Sequence, residues 1–160
     1  MKFNHLVEIN NPLNPLIEPL TREQLWRGLV LRAEAPKLFV PWLDQCDLLE
    51  RSAQSLTRVL HYGELTIHDQ VTFVPQRQIR YDVPQQKDIE VSSLMVTIEE
   101  PEPDVLFVRF EYDDGKSDAA GTDDAMVDEF RRSAYQEADI DTIRIVRELA
   151  LEGRFDTPLA

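Results

Sequence analysis

The chain has 160 residues and a formal net charge of −13 at neutral pH. That length suits one domain with a proper core, and the acidity argues against duplex nucleic acid and anionic membrane surfaces, which attract basic patches. A single cysteine, Cys46, excludes an internal disulfide and any multi-cysteine metal site.

In chain order, Met1 to His5 lacks an apolar core of signal-peptide length, and no run approaches transmembrane length. The expectation is a cytoplasmic protein whose single domain spans 1–160. Lys2 to Ile9 alternates as a first strand, and Asn10 to Pro19, with three prolines, is an irregular link. Thr21-Arg22-Glu23-Gln24 forms a capping box that opens a helix through about Ala35, stopped by Pro36. Leu25, Trp26, Leu29 and Val30 give this helix an apolar face, and Pro41-Trp42-Leu43 suits a further helical turn. Strand patterns follow near 46–52, 56–62, 65–74, 77–83, 91–100 and 104–112.

The last element runs from Thr122 to Gly153 with no proline and no internal glycine, which predicts a helix about 45 Å long. Thr122 suits the N-cap, with Asp123, Asp124 and Asp128 at the positive end of the dipole. Its apolar stripe reads Val127, Phe130, Ala134, Ala138, Ile145, Val146, Leu149. Steps of four drift against the 3.6-residue repeat, so a bend or bulge is expected near 138–141.

Strands joined by short loops make an antiparallel meander, and only the long helix is large enough to cover one face of it. With Pro101-Glu102-Pro103 as the last hairpin loop, Ile98 faces Leu106, Val96 faces Val108, Leu94 faces Phe110 and Ser92 faces Tyr112. With a turn at Gly63-Glu64, Leu60 faces Ile67 and Leu56 faces Val71. Between these pairs, on the same apolar side, Arg58 lies opposite Asp69. Phe73 opposite Ile79 and Val71 opposite Tyr81 continue that face. Burying an ion pair rarely gains stability over apolar residues. Arg58–Asp69 is therefore either a structural salt bridge or a pair held in a ligand cavity, where a polar ligand atom completes its hydrogen bonds.

This order of elements is similar to the helix-grip fold of the START and birch-pollen-allergen-like (SRPBCC) superfamily, and within it to the small bacterial and fungal AtaL-like family. The stretches that carry the resemblance are His5-Leu6-Val7-Glu8-Ile9-Asn10, Leu20-Thr21-Arg22-Glu23-Gln24-Leu25-Trp26-Arg27-Gly28-Leu29, Ser93-Leu94-Met95-Val96-Thr97-Ile98-Glu99-Glu100-Pro101 and Leu106-Phe107-Val108-Arg109-Phe110-Glu111-Tyr112. The resemblance implies an α+β fold: a curved seven-stranded antiparallel sheet wrapped around the C-terminal helix, two short helices after the first strand, and a cavity between sheet and helix. Members of the superfamily bind sterols, lipids, hormones and polyketides there, and some cyclise polyketides. Fold alone does not choose among these.

The expected site is a cavity for a small hydrophobic or aromatic ligand. Its walls are Leu56, Leu60, Ile67, Val71, Phe73, Tyr81, Leu94, Val96, Val108, Phe110 and Tyr112, with Arg58 and Asp69 as the polar pair. His5 shares the inward parity of Phe3, Val7 and Ile9, as either a structural histidine or an acid–base group. The alternative is a polyketide cyclase using the same cavity, with Arg58 stabilising an enolate and Asp69 or His5 as base. An aspartate paired to arginine is a poor base, which counts against Asp69. No glycine-rich nucleotide loop and no clustered metal ligands are present, so neither cofactor nor metal is expected. Trp26 and Trp42 suit core anchors, and Cys46 a small buried residue. The outer face with Val59, Met95 and Phe107 offers a possible surface for a homodimer.

Overall fold

The computed structural model describes residues 1–116 and 125–156, together with the backbone of 122–124. Seven strands form one antiparallel sheet: β1 (Lys2–Asn10), β2 (Gln45–Arg51), β3 (Ser55–Tyr62), β4 (Leu65–Val74), β5 (Gln78–Val83), β6 (Ser92–Glu102) and β7 (Val105–Asp113). Their spatial order is β1-β7-β6-β5-β4-β3-β2, a meander from β2 onward that β1 joins beside the last strand. Register shifts at Glu8/Asn10, Leu48/Arg51 and Glu99/Glu102 mark bulges, and bulges bend a sheet and increase its twist.

Between β1 and β2 lies helix α1 (Arg22–Glu34). Its capping box is complete: Gln24 N–H donates to Thr21 Oγ1 at 3.0 Å and the Gln24 side chain accepts from Thr21 N–H at 2.9 Å. The proline-rich link before it is pinned by buried Asn10, whose amide donates to the Leu20 carbonyl (2.6 Å) and accepts from the Leu20 N–H (2.9 Å). After α1 the second short helix is a 3-10 turn at Pro36–Leu38, five residues earlier than the sequence suggested. Proline suits the first helical position there. Pro41 and Trp42 form a plain turn, and Trp42 is 71% exposed, so it is no core anchor. Trp26 is one, packed edge-on against Phe73.

The β3–β4 and β4–β5 registers are those read from the sequence. Arg58 pairs with Asp69, Leu60 with Ile67, Val71 with Tyr81 and Phe73 with Ile79. Gly63 takes a positive φ of 60° in the Tyr62–Leu65 turn, as a tight hairpin requires. The β6–β7 register differs by two residues: Leu94 pairs with Tyr112, Val96 with Phe110 and Ile98 with Val108. The chain reverses at Pro103-Asp104 rather than at Pro101-Glu102-Pro103, with Asp104 at φ 67°, and a bulge takes up the offset. A shift of two keeps each side chain on its face, so the inner face is the expected one.

Helix α2 (Thr122–Leu151) is continuous and has no bulge at 138–141. Thr142 Oγ1 donates to the Ala138 carbonyl there (3.0 Å). It ends at Gly153, φ 79°, where Gly153 N–H meets the Ala150 carbonyl and Arg154 N–H the Leu149 carbonyl, a Schellman close. The Thr122 cap and its acidic neighbours Asp123 and Asp124 fall outside the described side chains. The apolar stripe is corrected. Val127, Phe130, Ala134 and Ala138 face outward, Phe130 being 75% exposed. The face turned to the sheet carries Tyr135, Asp139, Thr142, Val146 and Leu149, at steps of four, three, four and three, which tracks the helical repeat.

Only the C-terminal half of α2 therefore packs as a core element. Ile143, Val146 and Leu149 join Leu25, Trp26 and Leu29 of α1 over Ile79, Ile98, Leu106 and Val108 of the sheet. Below the N-terminal half, the facing residues are polar or aromatic and the packing opens.

Candidate functional site

Under that half of α2 lies a cavity of about 520 Å³. Its floor comes from Arg58, Leu60 and Tyr62 of β3, Tyr81 and Val83 of β5, Leu94 of β6 and Tyr112 of β7. Arg32, Pro36 and Val40 wall one side and Arg131 and Tyr135 of α2 the roof. Val91 and the Glu90–Lys116 ion pair stand at the rim. All four tyrosines of the chain line this one space.

Of the residues expected to line a site, Arg58, Leu60, Tyr81, Leu94 and Tyr112 do so. Leu56, Val71, Val96, Val108 and Phe110 are buried in the core cluster, with Phe73 packed against it, and Ile67 is half-buried. They share the inner face but belong to its filled end. Cys46 is half-buried opposite Leu60 rather than fully enclosed.

Arg58 and Asp69 are both buried. Nε donates to Oδ1 at 2.9 Å and Nη2 to Oδ2 at 2.6 Å, a bidentate pair, and Nη1 donates to the Ala33 carbonyl at 2.9 Å. Ala33 lies in the last turn of α1, where carbonyls lack helical partners and the dipole is negative. The pair thus fastens the end of α1 to the sheet. Burial works to lower the Arg58 pKa, but the hydrogen bonds and charge of Asp69 raise it above its ordinary value.

A second buried group was not foreseen. Asp139, with no exposed surface, accepts from the Tyr112 hydroxyl at 2.7 and 2.8 Å and contacts His5 Nε2 at 2.7 Å. Burial pushes its carboxyl above the ordinary range, against the pull of Arg32, His5 and Tyr112. The Tyr112 hydroxyl is also raised, first by burial and then by the Asp139 charge. His5 points inward as its parity indicated, stacked between Phe3 and Phe110. Tyr112 stacks on Tyr135 at 4.0 Å between ring centroids. The signal for Asp139 was its place at the helical repeat between Tyr135 and Val146, overlooked because only apolar residues were counted.

The cavity's other two arginines differ from Arg58. Arg131 reaches Asp114 at 3.1 Å. Burial alone would raise the Asp114 pKa, but the chain-terminal ammonium, the Lys116 N–H and Arg131 hold it down to about 2. Arg32 lies 5.3 Å from the centroid of Tyr81, whose ring Arg58 also approaches at 5.1 Å. No carboxylate among the described residues lies within ion-pair distance of Arg32. Burial pulls its pKa down, yet the neighbouring Tyr81, which also hydrogen-bonds it, and the Asp139 carboxylate leave it raised.

A second hollow, of about 550 Å³, is lined largely by outward-facing polar residues including Thr57, His68, Gln70, Arg80 and Asp82. Among the described residues no group of three His, Cys, Asp or Glu side chains is placed to hold a metal ion, and no helix is long and apolar enough to cross a membrane.

A curved seven-stranded sheet, a long C-terminal helix across it and a cavity between them define a helix-grip protein of the START and birch-pollen-allergen-like class. The model of the family described as acetylaranotin biosynthesis cluster protein L, AtaL, matches residues 7–153, and the chain belongs to that family. Solved structures of like fold include the di-domain ARO/CYC StfQ from the steffimycin biosynthetic pathway, at 11% identity and TM-score 0.70. That match covers 96% of this chain and 51% of StfQ, so the chain spans about half of the di-domain protein. The Zhui aromatase/cyclase from Streptomyces sp. R1128 has 16% identity and TM-score 0.58, covering 91% of this chain and 90% of that one. A STAR-related lipid transfer protein from Xanthomonas axonopodis has 12% identity and TM-score 0.56, covering 92% and 84%. At such identities the likeness is one of fold. No curated protein matches the sequence.

Proposed function

We propose that this protein binds one small apolar or aromatic molecule, non-covalently, in the cavity beneath the N-terminal half of α2. The observation that carries this reading is the contrast along the inner face of the sheet. One end is filled by apolar side chains from both helices, and the other encloses about 520 Å³ walled by Leu60, Leu94 and four tyrosines. That volume falls within the range of small-molecule pockets, and apolar walls with a few placed polar groups are their usual lining. Neighbours of like fold include a lipid transfer protein and aromatase/cyclases, which is compatible with such an occupant.

The test is fluorescence titration with N-phenyl-1-naphthylamine, a neutral apolar probe, against the protein and a Leu94→Trp variant that fills the cavity. Saturable binding by the parent and its loss in the folded variant are expected. Unchanged binding by the variant would place the probe elsewhere and end this reading.

A second reading, ring closure of a poly-β-keto chain, is favoured by Arg32, which lines the cavity with its guanidinium over the Tyr81 ring and could stabilise an enolate there. It also needs a base. Asp69 is held by Arg58, and Asp139 is held by Tyr112 and His5, so the buried carboxylates are already engaged. The binding reading therefore comes first, and the absence of turnover of a poly-β-keto thioester is its expected companion result.

A further inference from the structure

We propose that the cavity takes a planar aromatic molecule bearing one anionic oxygen group, a carboxylate or an acidic phenol, seated on Arg32. The inference rests on the cavity being a ligand site and adds the class of ligand. Three arginines reach this space, and two already have carboxylate partners, Arg58 in Asp69 and Arg131 in Asp128 and in Asp114, which it shares with the chain-terminal ammonium. Arg32 is half-buried and has no ion-pair partner among the described residues. A cation partly withdrawn from water without a counter-ion is costly, and an anion that enters beside it removes that cost. Asp139 acts on Arg32 electrostatically but only from a distance: its oxygens contact Tyr112 and His5, and it makes no ion pair with Arg32, so an anion in direct contact with the guanidinium still gains.

The other walls select the rest of the molecule. Tyr62, Tyr81, Tyr112 and Tyr135 line the space with aromatic surface that suits a flat partner, Tyr112 and Tyr135 as a stacked pair and Tyr112 with its hydroxyl already on Asp139. A neutral sterol would leave Arg32 uncompensated, and a phosphate dianion would call for a second free cation. A mono-anionic aromatic molecule meets both constraints.

The test is displacement of bound N-phenyl-1-naphthylamine by 2-naphthoate and by methyl 2-naphthoate, which share a ring system and differ in charge, in 0.15 M salt. The parent protein is expected to prefer the acid by about tenfold or more, the scale of a charge-assisted hydrogen bond. Arg32→Gln should abolish that preference while its affinity for the ester stays within about twofold, and Arg32→Lys should restore part of it. Because Arg32 carries no ion pair, Arg32→Gln is expected to fold, which circular dichroism checks. Equal affinity of the parent for acid and ester, or an undiminished preference in Arg32→Gln, would overturn the inference and leave the cavity reading intact. Failure of the parent to bind the neutral probe would instead bring down the cavity reading beneath it.

Discussion

Arg58 commits three of its five N–H groups within the fold, two to Asp69 and one to the end of α1. Removing one partner of such a pair leaves a buried charge, so Asp69→Leu should cost about 3–5 kcal/mol in urea unfolding. The double variant Arg58→Met with Asp69→Leu should recover most of that loss. A single variant with unchanged stability would mean the guanidinium finds other company. The pair itself was readable, since a turn at Gly63-Glu64 fixes the register and register fixes the face. Its third partner was not, because no local pattern says which strand residue will meet the last turn of a distant helix. Arg32 escaped notice for the same reason: between Leu31 and Ala33 on α1 nothing local marks it, and it is set apart only by its lack of a contacting carboxylate among the described residues.

At the level of the element, α2 shows what a composition rule misses. Counting only apolar residues selected Val127, Phe130, Ala134 and Ala138, which the structure turns outward. Extending the repeat of Val146 and Leu149 backwards instead passes through Thr142, Asp139 and Tyr135. Buried polar side chains are admitted there because each finds a hydrogen bond or a ring partner. The crossing of α1 and α2 is close enough to be tested by one methyl group. A Cβ at Gly28 would lie 2.5 and 2.9 Å from the two γ carbons of Val146. Alanine favours a helix over glycine by about 1 kcal/mol, but overpacking against a stiff, buried valine costs about 1–3 kcal/mol. Gly28→Ala should therefore destabilise the parent, whereas in a Val146→Ala background it should be neutral or stabilising. Stabilisation of the parent by Gly28→Ala would show that the helices can part at that point.

The molecule as a whole is a curved sheet whose inner face is filled at one end and hollow at the other. The strand order and the identity of the inner face follow from hairpin parity, which a two-residue register error in β6–β7 leaves unchanged. The division between core and cavity was not legible, because it depends on which half of α2 presents apolar bulk, and that turns on the helix's rotation. The most direct measurement of the central claim is an NMR titration with N-phenyl-1-naphthylamine, observing ring signals of selectively labelled tyrosine and the Trp42 indole. All four tyrosines line the cavity, and Trp42 stands on the surface away from its lining. The expected result is that all four tyrosine signals shift along one isotherm, saturating near one equivalent, while Trp42 does not move. Tyrosine signals that stay fixed while Trp42 shifts would contradict the account.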